Sequence, residues 1–186
     1  MPKTLLILSG PIAVGKTTLR NWLVSNCGFC SLSSSTYLRA IATERGLLPS
    51  RTNLQILGDD LDDETDFRWV VDAVAVPAIR SKPSVSRWLF DSVRKRRQLE
   101  HFRAAFGESV LHAHLTAPEP VLRARFEQRK DSDTRGVDAA GYESAISHPN
   151  ELEARSLVLT ADIVVDTDVA DTRIMFEAVL AHYDEE

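Results

Sequence analysis

The chain has 186 residues, 44% of them hydrophobic and 26% charged, with a formal net charge of −5. That length suits one domain, at most with a small appended lid, and buries a core without disulfide or metal staples. The acidic balance argues against a nucleic-acid polymer as partner, because such binders carry a basic face. No apolar run approaches the roughly 18 residues of a membrane span.

Residues 4–9 are an apolar run that reads as a buried strand, too short and too quickly ended by Gly10 to be a signal peptide. The stretch from Gly10 to Thr18, GPIAVGKTT, then fits G-x-x-x-x-G-K-[ST], and an amphipathic helix is expected over 16–26, with Leu19, Trp22 and Leu23 on its inner face. The residue types follow from the chemistry. Gly10 and Gly15 let backbone N–H groups approach phosphate oxygens without a Cβ in the way. The amides of Ala13, Val14, Gly15, Lys16, Thr17 and Thr18 would cradle the phosphates of ATP at a helix amino terminus. Lys16 would bridge the β- and γ-phosphates, and Thr17 would ligate Mg²⁺.

Cys27 and Cys30 are the only cysteines, and no further cysteine pair or H-x3-5-H could complete a zinc site. Two incidental thiols, with no leader ahead of the first strand, point to the cytoplasm. A strand over 29–33 leads into a helix over 35–45, where Arg39 lies one turn in, placed to hold an acceptor phosphate. Helices are expected over 51–58 and 63–81, with the acidic run 58–66 as a solvated turn and helix start.

The strand 87–91 ends in Asp91, followed by Arg94 and Gln98; Lys95, Arg96 and Arg97 read as a solvated basic face at the head of a helix over 96–106. His112 and His114 fall on one face of the strand 109–115 and read as packing or hydrogen-bonding residues. Thr116 and Glu119 have capping-box spacing before a helix over 117–129, on which Arg125 and Arg129 are i, i+4 neighbours; Arg135 follows in a polar loop. Helix is expected over 138–159, broken near Pro149, with Tyr142 and His148 close to that loop; a last strand at 162–166 and a helix at 170–183 complete the chain. Alternating strands and helices imply an α/β, three-layer fold with a five-stranded parallel sheet. Ligands bind such sheets at the carboxyl ends of strands, toward which Ser9, Ser33, Asp91 and Asp166 would point.

The phosphate loop does not say what the nucleotide is for. A GTPase would need a D-x-x-G switch and an N-K-x-D base reader, which the sequence lacks. An AAA-type ATPase is expected to be longer, with strings of acidic and arginine sensors. A short chain with arginines after successive strands fits a small-molecule kinase better.

The segments STYLR ending at Arg39, FDSVR from Asp91 to Arg94, and RARFEQR with KDSDTR (123–135) resemble the P-loop nucleoside monophosphate kinase family. The likeness is closer to phage-type deoxynucleoside monophosphate kinases and dephospho-CoA-kinase-like proteins. It implies a single P-loop kinase domain over 1–186, with an acceptor-binding helical region at 34–82 and a lid at 129–138. It further implies that Asp91 organises Mg²⁺ through water, that Arg94 joins Arg39 on the acceptor phosphate, and that Gln98 reads the acceptor base. Arg125, Arg129 and Arg135 would close over the moving phosphoryl group. The expected partner is a small phosphorylated acceptor, with the protein a monomer or homodimer. Dephospho-CoA or a hydroxylated metabolite as acceptor, and a non-catalytic ATP-binding regulatory module, remain open alternatives.

Overall fold

The computed structural model describes residues 2–132, 141–169 and 176–177. Five strands, β1 (Thr4–Ser9), β2 (Cys30–Leu32), β3 (Arg87–Phe90), β4 (Val110–Thr116) and β5 (Ile163–Asp166), form one sheet in the order β2-β3-β1-β4-β5. Every pairing is parallel. The expected α/β class and five-stranded parallel sheet are therefore observed, each strand within about two residues of its expected bounds.

β1 runs through the centre of the sheet and is buried on both faces, which explains its unbroken apolar run. Its side chains alternate between two cores. Leu5 and Ile7 join Leu32, Trp88, Phe90 and Phe102 on one side; Leu6 and Leu8 join Leu19, Leu23, Leu111 and Phe126 on the other. The first core lies under α2 (Ser34–Glu44), α3 (Arg51–Thr65), α4 (Val76–Ser81) and α5 (Arg96–Phe106). The second lies under α1 (Lys16–Asn26) and α6 (Glu119–Ser132), and also takes Tyr142 of α7 (Tyr142–Ile146). α8 (Pro149–Ser156) precedes β5. Among the described residues, no helix is long and apolar enough to cross a membrane.

Two helical expectations are corrected. The acidic run is not a turn: α3 continues through it to Thr65 and stops only where Asp66 and Phe67 take positive φ, 50° and 64°. Burial of Leu57, Leu61 and Asp62 on one face carries the helix across the charges. The stretch expected as one helix over 63–81 is instead broken at that point and then π-helical over Val70–Ala75, with Val76 N–H bonded to Val71 O. Pro77 lies just beyond; it has no N–H to donate and crowds the carbonyl of Ala73, which a wider turn accommodates. The helix expected over 138–159 is α7, α8 and a 3-10 turn Leu157–Thr160. The expected helix over 170–183 lies almost wholly outside the described residues, which include helical backbone only at 176–177.

Candidate active site

The loop between β1 and α1 is shaped by three residues with positive φ: Gly10 (132°), Ala13 (65°) and Gly15 (102°). Left-handed Ala13 and Gly15 alternate with Ile12, Val14 and Lys16, which lack positive φ; this is the pattern of an anion-binding nest. Gly10 is required twice over, since a Cβ there would lie 2.4 Å from the Leu115 carbonyl oxygen of β4. The Lys16 ammonium donates to Gly10 O (2.5 Å) and Pro11 O (2.9 Å), so it spans the loop from its own helix. A cavity of about 420 Å³ opens over the loop, with Lys16, Thr17, Asp91 and Arg94 among its walls.

Asp91 reaches this cavity because β3 pairs with β1, which puts its carboxyl end beside the loop. Its Oδ2 accepts from Arg20 at 3.1 Å and its Oδ1 from the Ser92 hydroxyl at 3.2 Å. Arg20 belongs to no motif, but it lies one helical turn after Lys16, and that i, i+4 spacing is its sequence signal. Gln55 and Glu151 also line the cavity.

A second cavity of about 620 Å³ adjoins the first and shares Gln55, Ser92 and Arg94 with it. Arg39 and Lys95 contribute positive charge to its wall, while Asp59, Asp62, Trp69, Gln98 and Asn150 line it too. Asp62 is buried, and burial raises its pKa against the opposing hydrogen bonds from Trp69 and Gln98. Its Oδ1 accepts from Trp69 Nε1 at 2.7 Å and Gln98 Nε2 at 3.1 Å.

Gln98 is thus occupied on both ends of its amide: Nε2 serves Asp62 and Oε1 accepts from the Arg94 backbone N–H at 3.3 Å. In this arrangement it orders the turn that carries Arg94 while lining the second cavity. Arg125, expected to close over the moving phosphoryl group, does not line the loop cavity. Its guanidinium donates to Thr167 Oγ1 and Thr167 O, both at 2.9 Å, and ties α6 to the end of β5 away from the loop cavity. Arg129 lies in the last turns of α6, its side chain outside the described residues, and Arg135 falls outside them altogether, as does the lid segment beyond 132. Thr18 follows Thr17 on α1 but does not line the cavity. Of the four strand-end residues expected to face the ligand, only Asp91 lines the loop cavity. Ser33 caps α2 by accepting from Thr36 N–H, Asp166 accepts from Asp168 N–H, and Ser9 is buried.

Ser9 belongs to a buried hydrogen-bonded chain under the loop. His112 Nδ1 lies 3.2 Å from Thr160 O, so it carries the hydrogen and leaves Nε2 to accept from the Ser9 hydroxyl at 2.7 Å. Ser9 Oγ then accepts from His114 Nδ1 at 2.8 Å. Burial holds the His114 imidazole down at about 4, with His112 and Lys16 pushing the same way; burial lowers His112 as well. The His114 ring therefore stays neutral in the fold well below 6.5, near which unfolded histidines charge. Stability is present in full above that value and is lost as the pH falls toward 4. For His114 alone the loss is about 3 kcal/mol, at ~1.4 kcal/mol per pH unit. Chemical denaturation between pH 7 and pH 4 should show this slope, and His114→Asn, which keeps a donor toward Ser9 but does not titrate, should flatten part of it.

A parallel sheet in the order 2-3-1-4-5, a G-x-x-x-x-G-K-T loop joining its central strand to α1, and a carboxylate at the end of the adjacent strand define a P-loop, kinase-like nucleotide-binding fold. Residues 6–144 match the family described as AAA domain, and the chain belongs to that family. The expectation that set AAA-type proteins aside on length is corrected to that extent.

Among solved structures, a sugar kinase from Janibacter sp. HTCC2649 is 20% identical with a TM-score of 0.52, the match covering 98% of this chain and 95% of that one. A chain of the Pnkp1/Rnl/Hen1 RNA repair complex is 16% identical with a TM-score of 0.55, covering 87% of this chain and 47% of that one. An uncharacterized protein from Eubacterium ventriosum ATCC 27560 is 12% identical with a TM-score of 0.51, covering 98% and 99%. These likenesses concern the fold. None of the curated proteins matches the chain.

Proposed function

We propose that the protein transfers the γ-phosphoryl group of ATP to a small phosphorylated acceptor, with a nucleoside or deoxynucleoside monophosphate as the acceptor that fits best. The observation that carries this reading is the pair of adjoining cavities that meet at Arg94, one floored by the phosphate loop and the other walled by Arg39. Phosphoryl transfer asks a protein mainly to align two anions and neutralise their charge. An acceptor phosphate held by Arg39 and Arg94 would approach the donor tail from the second cavity. Its oxygen forms the new bond to the γ-phosphorus as the bond to the β-bridging oxygen breaks. Such an oxygen is already an anion, so no base is required. Asp91 is engaged by Arg20 and Ser92, which favours this over a hydroxyl acceptor that must lose a proton.

The loop's positive-φ residues and the Gly10 close approach suit a nucleotide polyphosphate. Among the described residues no three His, Cys, Asp or Glu side chains converge. Mg²⁺ would be held by Thr17 and, through water, Asp91, with its other ligands from the nucleotide and solvent. When bound, it would offset charge on the β- and γ-phosphates.

An ADP-release assay across ribo- and deoxynucleoside monophosphates, dephospho-CoA and sugar phosphates tests the proposal. Turnover with one monophosphate is expected; ATP binding with no ADP release for any acceptor would leave a regulatory module as the better reading. Arg39→Ala should raise the acceptor KM by about tenfold or more, as for loss of a charge-assisted phosphate contact, with the ATP KM within about twofold. If only the ATP dependence moved, the assignment of the two cavities would be reversed.

A further inference from the structure

α8 bonds both the phosphate loop and the wall of the second cavity. From its first turn, Glu151 Oε1 accepts the backbone N–H of Ile12 in the phosphate loop at 2.7 Å. Toward the second cavity, Asn150 Nδ2 donates to Asp59 Oδ1 of α3 at 3.4 Å, and the side-chain amide of Gln55, also on α3, hydrogen-bonds Nε2 of His148 at 2.7 Å. Glu153 pairs with Lys95, next to Arg94, at 3.1 Å. On the far side Arg155 donates to Glu151 at 3.2 Å and to Glu119 of α6 at 2.9 Å. Pro149 at the first helical position and His148 Nδ1, which accepts from Asn150 N–H, fix where this helix starts and therefore where Glu151 points.

We infer that Glu151 is a positioning residue for the phosphate loop, and that α8 couples the loop to the acceptor cavity. The inference rests on the two-cavity reading above. The physical reason is that Ile12 N–H is held by a carboxylate from outside the loop. Glu151 cannot keep that place unless α8 keeps its own. The seat of α8 is set by contacts with α3 and with Lys95, which line the acceptor cavity. A ligand that moves those walls shifts the loop, and by thermodynamic reciprocity the donor shifts the acceptor side by the same factor.

Calorimetric titration of magnesium AMPPNP, a non-hydrolysable ATP analogue, tests this with no acceptor needed. Glu151→Ala should raise its Kd by about tenfold, whereas Glu151→Gln, which keeps an oxygen for Ile12 N–H, should stay within about threefold of the parent protein. The double variant Asn150→Ala/Glu153→Ala alters only residues absent from the donor cavity wall. It should raise the Kd by about threefold if α8 transmits position. An unchanged Kd in that variant, with its melting temperature preserved, would overturn the coupling; an unchanged Kd in Glu151→Ala would overturn the positioning role. Failure of the parent protein to bind the analogue at all would overturn the donor-site reading itself, and this inference with it.

Discussion

Lys16→Ala should lower phosphoryl-transfer turnover by about a thousandfold, the scale for removing one preorganised electrostatic contact from a transition state. The fold should survive, because the side chain is hydrogen-bonded to the loop that its own helix follows. Its ammonium lies over the carbonyls of Gly10 and Pro11, so the loss falls on the loop. Lys16→Arg should not restore activity, since a planar guanidinium does not fit the place of a compact point charge. Steady-state rates beside circular dichroism melts check both points. Parent-like turnover in Lys16→Ala would remove this lysine from the mechanism.

Gly10→Ala should be the most damaging glycine-to-alanine change among the described residues. The added Cβ meets the Leu115 carbonyl oxygen at 2.4 Å, a backbone atom of a central strand that cannot step aside, and the residue has φ near 132°. Strain of this kind costs about 3 kcal/mol or more, from the backbone conformation and the overlap together. Urea denaturation should show that loss, and AMPPNP binding should disappear with it because β1, β4 and the loop move apart. Gly15→Ala is the useful contrast. Its Cβ would meet nothing within 4 Å, so only the unfavourable φ of 102° should count. Equal stability of Gly10→Ala and the parent would show that β4 does not approach the loop as closely as described.

The phosphate loop, the strands and the class of fold were legible in the sequence because they are local. An unbroken apolar run reads as a buried strand, and glycines at fixed spacing before a lysine carry their own geometry. Asp91 could be placed at a strand end and Arg39 one turn into a helix from local pattern, and Arg94 came with the family resemblance; the structure lines the two cavities with all three. Other features depended on partners far along the chain. Gln98 could not be known to be occupied without Asp62, 36 residues away, nor Arg125 without Thr167, 42 residues away. The same holds for the acidic run: its charges suggested solvent, but one face of α3 is held against the core and buries Asp62 with two donors.

The sequence by itself determined the periodicities, the loop and hence a nucleotide-binding α/β domain, because hydrophobic spacing and glycine placement act over a few residues. The tertiary structure alone decided which arginines face the loop, how Ser9 pairs with two histidines beneath it, and that Glu151 reaches Ile12 across 139 positions. Those choices are made where separate elements pack, by competition among hydrogen-bonding groups for the few partners a buried surface offers.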